Sequence, residues 1–401
     1  MLVAKSASAA PQPLSAQPVT ISEEEMMRYD LETPAVWSAL SEFGLDLLKT
    51  ARQEGEGTLL SPLSAALALS MAANGADGET LDQFREVLGD GASLEALNVS
   101  CSALMKLYGG LGGSTECSIA DSLWLDGRLE ANELFLSRCT AFYGARLYQA
   151  DLDTDGARRA VNNWVGEVTR GLIPEVLAET PAPETVLLLV NALYLKNAWA
   201  SEFDPLDTRP GDFTAADGSE AETDFLSNGL RAEQYFAAEG AAGVVLPYDD
   251  GRLGFLAVLP DGELDAWLET LDGDTLPALL AAAEEERVLL RLPKFEAEWG
   301  GELSDALAAM GLETAFDSGR ADFSALGTAP DGPLYVSSVV HKARIEVNEK
   351  GTEAAAATVV EVEDAAAPTD YRELVLDRPF CYAVVDLERG VPLFLGTFER
   401  P

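Results

Sequence analysis

The sequence predicts an α+β fold in a single domain, and three observations carry that prediction. Apolar residues recur at helical spacing in some segments, fall at strand spacing in others, and no internal boundary separates the two kinds. Residues 37–52 and 62–73 show the helical spacing. A third helical stripe, at 158–169, carries Val161, Trp164, Val165 and Val168. Strand-like runs follow at 186–195, 244–246, 255–259 and 288–292. With 401 residues and 47% hydrophobic content the chain can bury a large core, although length alone would favour two domains as readily as one. Ahead of this body, residues 1 to about 28 read as a flexible tail, because 6–20 is rich in Ala, Pro, Ser and Gln and almost uncharged; the domain then spans 29–401.

Composition excludes several classes of function. The 68 Asp and Glu outnumber the 27 Lys and Arg for a net charge of −41, which makes nucleic acid and anionic membranes poor partners, since both need neutralising cations. No internal repeat is present, and no apolar run approaches the ~18 residues needed to cross a bilayer. Residues 1–10 lack a basic start and a full apolar core, so no secretion signal is expected in this sequence. A tail of this kind fits the tether of an exported or lipid-anchored precursor, which makes an extracellular or cell-surface location the expectation, with a cytosolic one still open.

Cys101, Cys117, Cys139 and Cys381 show neither CxxC spacing nor a histidine cluster, so no metal and no other cofactor is expected. Buried free thiols are the expected state, with Cys101 and Cys117 the one pair close enough in sequence to bridge a short loop. The glycine cluster at 109–113 lacks the Lys-Ser/Thr ending of a phosphate loop and reads as a turn. Asn98-Val99-Ser100 is a glycosylation acceptor only where the host glycosylates. His341 is the single histidine, no GxSxG elbow accompanies it, and its neighbours alternate like a core strand, so a hydrolase is disfavoured.

The most informative stretch is 341–364, HKARIEVNEKGTEAAAATVVEVED. Val339, Ala343, Ile345 and Val347 fall at the spacing of a half-buried strand, which Gly351 interrupts. Beyond the glycine, Thr352, Ala354, Ala356, Thr358, Val360 and Val362 share one parity, and Glu353, Glu361 and Glu363 the other. Such a segment has an inside and an outside before it has a sheet to join. It reads as strand not yet paired.

NEKGTEAAAAT at 348–358 resembles the hinge of the serpins, the serine-protease inhibitor family whose reactive loop enters its own central sheet after cleavage. Further serpin-like motifs occur in the family's order: LLSPLSAALALSMAANGADGETLDQ from Leu59, NALYLKNAWASEFD from Asn191, LPKFEAEW from Leu292, VSSVVHKA from Val336, DRPFCYAVVD from Asp377, and FLGTFERP ending at Pro401. Together they cover roughly 33–401 and are far more specific than a lone glycine pattern. The resemblance implies one large central mixed sheet, sheet A, with two smaller sheets, eight or nine helices and an exposed reactive-centre loop at about 349–376. It also implies a monomer. A stretch resembling the family's helix D, 94–107, offers only Lys106, so no glycosaminoglycan cofactor is expected.

Three groups of site residues follow from the resemblance, motif by motif. The hinge is Glu349, Gly351, Thr352, Glu353, Ala354, Ala355, Ala356, Ala357 and Thr358, small enough after Gly351 to slide between strands. The shutter, a hydrogen-bonded cluster beneath the point where strands 3 and 5 of sheet A part, is Ser61, Ser64, Asn191 and His341. The breach, where the loop first enters, is Trp199, Lys294 and Glu349, the last two as an ion pair. The resemblance implies a scissile bond sixteen residues beyond Glu349, at Ala365-Ala366; a loop slightly long for the family between 366 and 379 leaves Ala366-Ala367 open, and Pro368 disfavours the bond before it. A small apolar residue there suits elastase-like and subtilisin-like pockets, and Glu361, Glu363 and Asp364 disfavour a protease with an acidic cleft.

The function implied is therefore inhibition of a serine protease through a covalent complex. A serpin that serves as carrier or chaperone is the alternative, and the intact hinge speaks against it.

Overall fold

The computed structural model describes residues 10–16, 33–330, 332–352 and 371–401. The central sheet runs, in spatial order, β1 (Gln12–Leu14), β5 (Arg146–Gln149), β3 (Glu116–Leu125), β6 (Leu187–Ala198), β16 (Gly351–Thr352), β15 (Val340–Asn348) and β13 (Phe295–Glu302). A second sheet runs β2 (Thr58–Leu60), β19 (Pro392–Phe398), β18 (Phe380–Asp386), β11 (Leu253–Pro260), β10 (Ala241–Pro247), β9 (Leu230–Ala238), β12 (Glu284–Pro293), β8 (Glu220–Leu226) and β7 (Arg209–Thr214), with β17 (Arg372–Val375) parallel to β12. Two short strands, β4 (Glu130–Ala131) and β14 (Gly327–Thr328), make a third. The helices are α1 (Thr33–Ala51), α2 (Pro62–Ala73), α3 (Gly78–Gly89), α4 (Leu94–Tyr108), α5 (Glu133–Tyr143), α6 (Asp155–Val168), α7 (Leu264–Leu268), α8 (Thr275–Ala282), α9 (Ser304–Ala309) and α10 (Glu313–Phe316).

The α+β class and the large mixed sheet are as expected, with two differences of count. Ten helices occur among the described residues rather than the eight or nine the resemblance implies, and three of them, α7, α9 and α10, have only four to six residues each. The second sheet holds ten strands, since β12 pairs with β9, β8 and β17 and so joins what reads in sequence as separate runs.

Strand parity explains how sheet A separates two layers. On β3, Leu123 and Leu125 face the main core, while Trp124 packs on the other face with Val161, Trp164 and Val165 of α6. The side-chain oxygen of Thr154 accepts from the Ala157 N–H and Asp155 sits in the first turn, which fixes where α6 begins. α2 lies on the opposite side, in the main core, and is apolar all round: eleven of its residues are buried.

The tail reading needs one correction. Gln12–Leu14 pairs antiparallel with β5, in register Gln12 with Gln149, Pro13 with Tyr148 and Leu14 with Leu147. An edge position tolerates Pro13, whose missing N–H removes at most an outward-facing donor, so linker-like composition did not exclude a strand. All four cysteines are free, and Cys101, Cys139 and Cys381 are buried, so Cys101 and Cys117 are not bridged. Burial pushes the Cys101 thiol up to about 11 and those of Cys117 and Cys381 to about 12.

Candidate functional site

The hinge already belongs to the sheet at its first two residues. β16 pairs antiparallel with β15 on one side, Thr352 with Val347 and Gly351 with Asn348, and with β6 on the other, Gly351 with Ala198 and Thr352 with Asn197. Among the described residues β16 is what links β6 to β15; no ladder joins those two strands directly. The sequence expectation of an unpaired segment beyond Gly351 is therefore corrected at Thr352. Glu353, Ala354, Ala355, Ala356, Ala357 and Thr358, together with Ala365, Ala366 and Ala367, lie outside the described residues.

Gly351 is required by contact as well as by conformation. Its φ is +147°, and a Cβ there would lie 2.0 Å from the Asn197 carbonyl oxygen and 2.8 Å from the Ala198 Cα. Thr352 is buried, and its hydroxyl lies 2.6 Å from the buried Tyr248 hydroxyl. Tyr248 stacks on Trp199, with ring centroids 4.9 Å apart and planes within 5°.

Trp199 does more than pack nearby. Its indole Nε1 donates to the Asn348 carbonyl at 2.9 Å, its backbone N–H donates to the Lys350 carbonyl at 3.0 Å, and Phe203 N donates to the Glu349 carbonyl at 2.7 Å. The turn between β15 and β16 is thus gripped carbonyl by carbonyl. Lys294 Nζ reaches Glu349 Oε2 at 3.0 Å, and the Thr208 hydroxyl donates to Glu349 Oε1 at 2.9 Å. Burial opposes the charge of Glu349, but a backbone N–H, Lys294 and Thr208 outweigh it and hold the carboxyl below its ordinary value. The structure thus brings all three breach residues to the hinge.

The shutter residues divide into two arms that meet at the start of α2. Ser61 N donates to His341 Nε2 on β15 at 3.0 Å, while the Ser61 hydroxyl donates to the Leu393 carbonyl of β19 at 2.8 Å. The Ser64 hydroxyl donates to Asn191 Oδ1 on β6, and Asn191 Nδ2 donates to Asp121 Oδ1 on β3 at 2.8 Å. One helix end therefore holds both strands that flank β16. Burial lowers His341 from 6.5 to about 4, so the imidazole is neutral and free to accept at Nε2.

Sequence reasoning missed Asp121 and Tyr248. Asp121 had a signal: in ECSIADSLWL it shares parity with Leu123 and Leu125, which places an acid on the core face. Tyr248 had none, because it lies just past the end of β10 and reaches the hinge only through the fold.

The central sheet thus grips the root of a loop between two of its own strands. The chain matches the family model for Serpin (serine protease inhibitor) over residues 38–401. It is 35% identical over 364 residues to Serpin-ZXA of Oryza sativa subsp. japonica, covering 86% of this chain and 91% of that one. Its fold is similar to that of tengpin, a thermophilic serpin, in the native state, with a TM-score of 0.87 at 31% identity over 98% of this chain and 100% of that one. Against tengpin in the latent state the TM-score is 0.79 at 30% identity, over 96% and 99% of the two chains. The chain belongs to the serpin family.

Proposed function

We propose that this serpin inhibits a serine protease of elastase-like or subtilisin-like specificity as a suicide substrate. The observation that carries the reading is β16, two residues of the loop root already bonded on both sides within sheet A. The protease attacks Ala365-Ala366, or Ala366-Ala367, and forms an acyl-enzyme through its serine. The cut frees residues 353–364 to continue β16 downward between β6 and β15, which completes 351–364 as a strand. About 12 newly inserted residues at ~3.3 Å each carry the tethered enzyme ~40 Å. At ~0.5–1.5 kcal/mol for about one hydrogen bond gained per inserted residue, insertion releases on the order of 6–18 kcal/mol. That equals or exceeds the ~5–15 kcal/mol that holds an ordinary domain together, enough to distort a trapped active site. An extracellular or cell-surface location belongs to the same reading, on the tether-like composition of residues 6–20.

Incubation with a pancreatic-type elastase and, separately, with subtilisin tests it. A species that survives SDS at the summed mass is expected. Cleavage of the loop with no such species would replace this reading with that of a carrier or chaperone.

A further inference from the structure

α2 brackets the seam, and its arm toward β6 ends on an acid. Asp121 is 2% exposed on the inward face of β3. Its Oδ1 accepts from Asn191, the same side chain that receives the Ser64 hydroxyl, and its Oδ2 has no hydrogen-bond partner among the described residues. The titratable groups that feel its charge are Cys101 on α4 and Cys139 and Tyr143 on α5, none of them a cation. β6 and α2 present only the neutral Asn191 and Ser64. On the neighbouring strand β5, Arg146 pairs in register with Ser122 and is exposed, and His341 across the seam is neutral.

A carboxylate buried without a cation costs several kcal/mol, whereas a neutral carboxyl lacking one partner costs ~1–3 kcal/mol. The charge-assisted bond from Asn191 returns only part of that difference. Burial accordingly raises the carboxyl from 3.8 to about 7. Any displacement of β6 from α2 that lets water or a donor reach Oδ2 relieves the ionised form. The Ser64–Asn191 bond ties α2 to β6, one of the two strands between which the seam opens.

We propose that Asp121 is a positioning residue for strand insertion: acting through Asn191, it holds β6 on α2 when protonated and loosens that hold when ionised, so insertion quickens as pH rises. The inference rests on the insertion reading above. It is tested on the intact full-length chain, with no protease present, by the rate at which a labelled synthetic peptide of residues 351–364 anneals into sheet A across the window around pH 7. The peptide carboxylates stay ionised throughout that window. His341 titrates near 4, well below it.

The wild-type rate is expected to rise about tenfold across the window, and to be flat in Asp121→Asn, which keeps the acceptor for Asn191 but has no proton to lose. An equal rise in Asp121→Asn overturns the proposal, as does a flat wild-type profile. Should that variant not fold, infrared difference spectra of the wild type decide: a protonated-carboxyl band must disappear as pH rises through about 7, and its absence below that pH overturns the proposal. Annealing without pH dependence sinks Asp121 alone. No annealing at any pH sinks the insertion reading, and this inference with it.

Discussion

The two ends of the seam between β6 and β15 are built from different chemistry. At the top, an aromatic stack of Trp199 on Tyr248 and a series of hydrogen bonds to the carbonyls of Asn348, Glu349 and Lys350 grip the loop root. Lower down, the two flanking strands are held to α2 by a few bonds between neutral polar groups, ending on an acid with one oxygen unpartnered among the described residues. Aromatic packing is lost as a whole when it moves, whereas hydroxyl, amide and imidazole groups can exchange partners. The top is therefore the firmer hold and the lower part a latch whose bonds can be exchanged; on the proposed reading, insertion runs from the hinge downward.

The largest expected effect breaks the top. In Gly351→Ala the new Cβ meets the Asn197 oxygen at 2.0 Å and the backbone must leave φ +147°, so the root is expelled from between its strands. We expect the chain to become a substrate, with SDS-stable complex reduced roughly tenfold or more, an effect that ~1–3 kcal/mol of backbone strain suffices to produce. The stoichiometry of inhibition reads it directly.

Next comes the latch. His341→Ala leaves the Ser61 N–H without its acceptor, and should lower the stability of the uncleaved form by ~1–3 kcal/mol and produce polymers on native gels. Unchanged melting with no polymers would remove His341 from the latch. Its pH dependence sharpens the contrast with Asp121. The folded value of His341, about 4, lies below 6.5, so its contribution is present above pH 6.5 and is lost as pH falls through about 4. Asp121 is raised from 3.8 to about 7, so its contribution is present below pH 3.8 and is lost as pH rises through about 7. The two oppose each other between. On acidification through that range the deficit of His341→Ala relative to wild type should shrink, while Asp121→Asn should lose stability relative to wild type; chemical denaturation at several pH values checks both signs.

Smaller effects probe the grip at the top. Trp199→Phe keeps a ring against Tyr248 but loses the 2.9 Å bond to the Asn348 carbonyl, which should cost ~0.5–1.5 kcal/mol in melting. Lys294→Ala should cost least, ~0–1 kcal/mol, and less in high salt, because Lys294 is 41% exposed and its pair with Glu349 is screened. A larger loss from Lys294 than from Trp199 would reverse the ranking of the two contacts.

Most of this was legible in the sequence where the signal is periodic or local. The strand-like run at 186–195, the strand spacing from Val339 to Val347 and the apolar stripe of α6 all correspond to observed elements. The division of the shutter into two arms was not legible, because it depends on which face of α2 each serine occupies relative to strands remote in sequence. Ser61 and Ser64 stand three residues apart, yet one reaches β15 and the other β6. Tyr248 was hidden for the same reason. Gln12–Leu14 was hidden by composition, since an edge strand asks little of its side chains beyond extended backbone.

Metastability is the central claim, and calorimetry of the intact chain beside the chain nicked once in its loop tests it most directly. The account predicts that the nicked form, with residues 351–364 completed as a strand between β6 and β15, melts at a distinctly higher temperature. Equal or lower melting of the nicked form would contradict it.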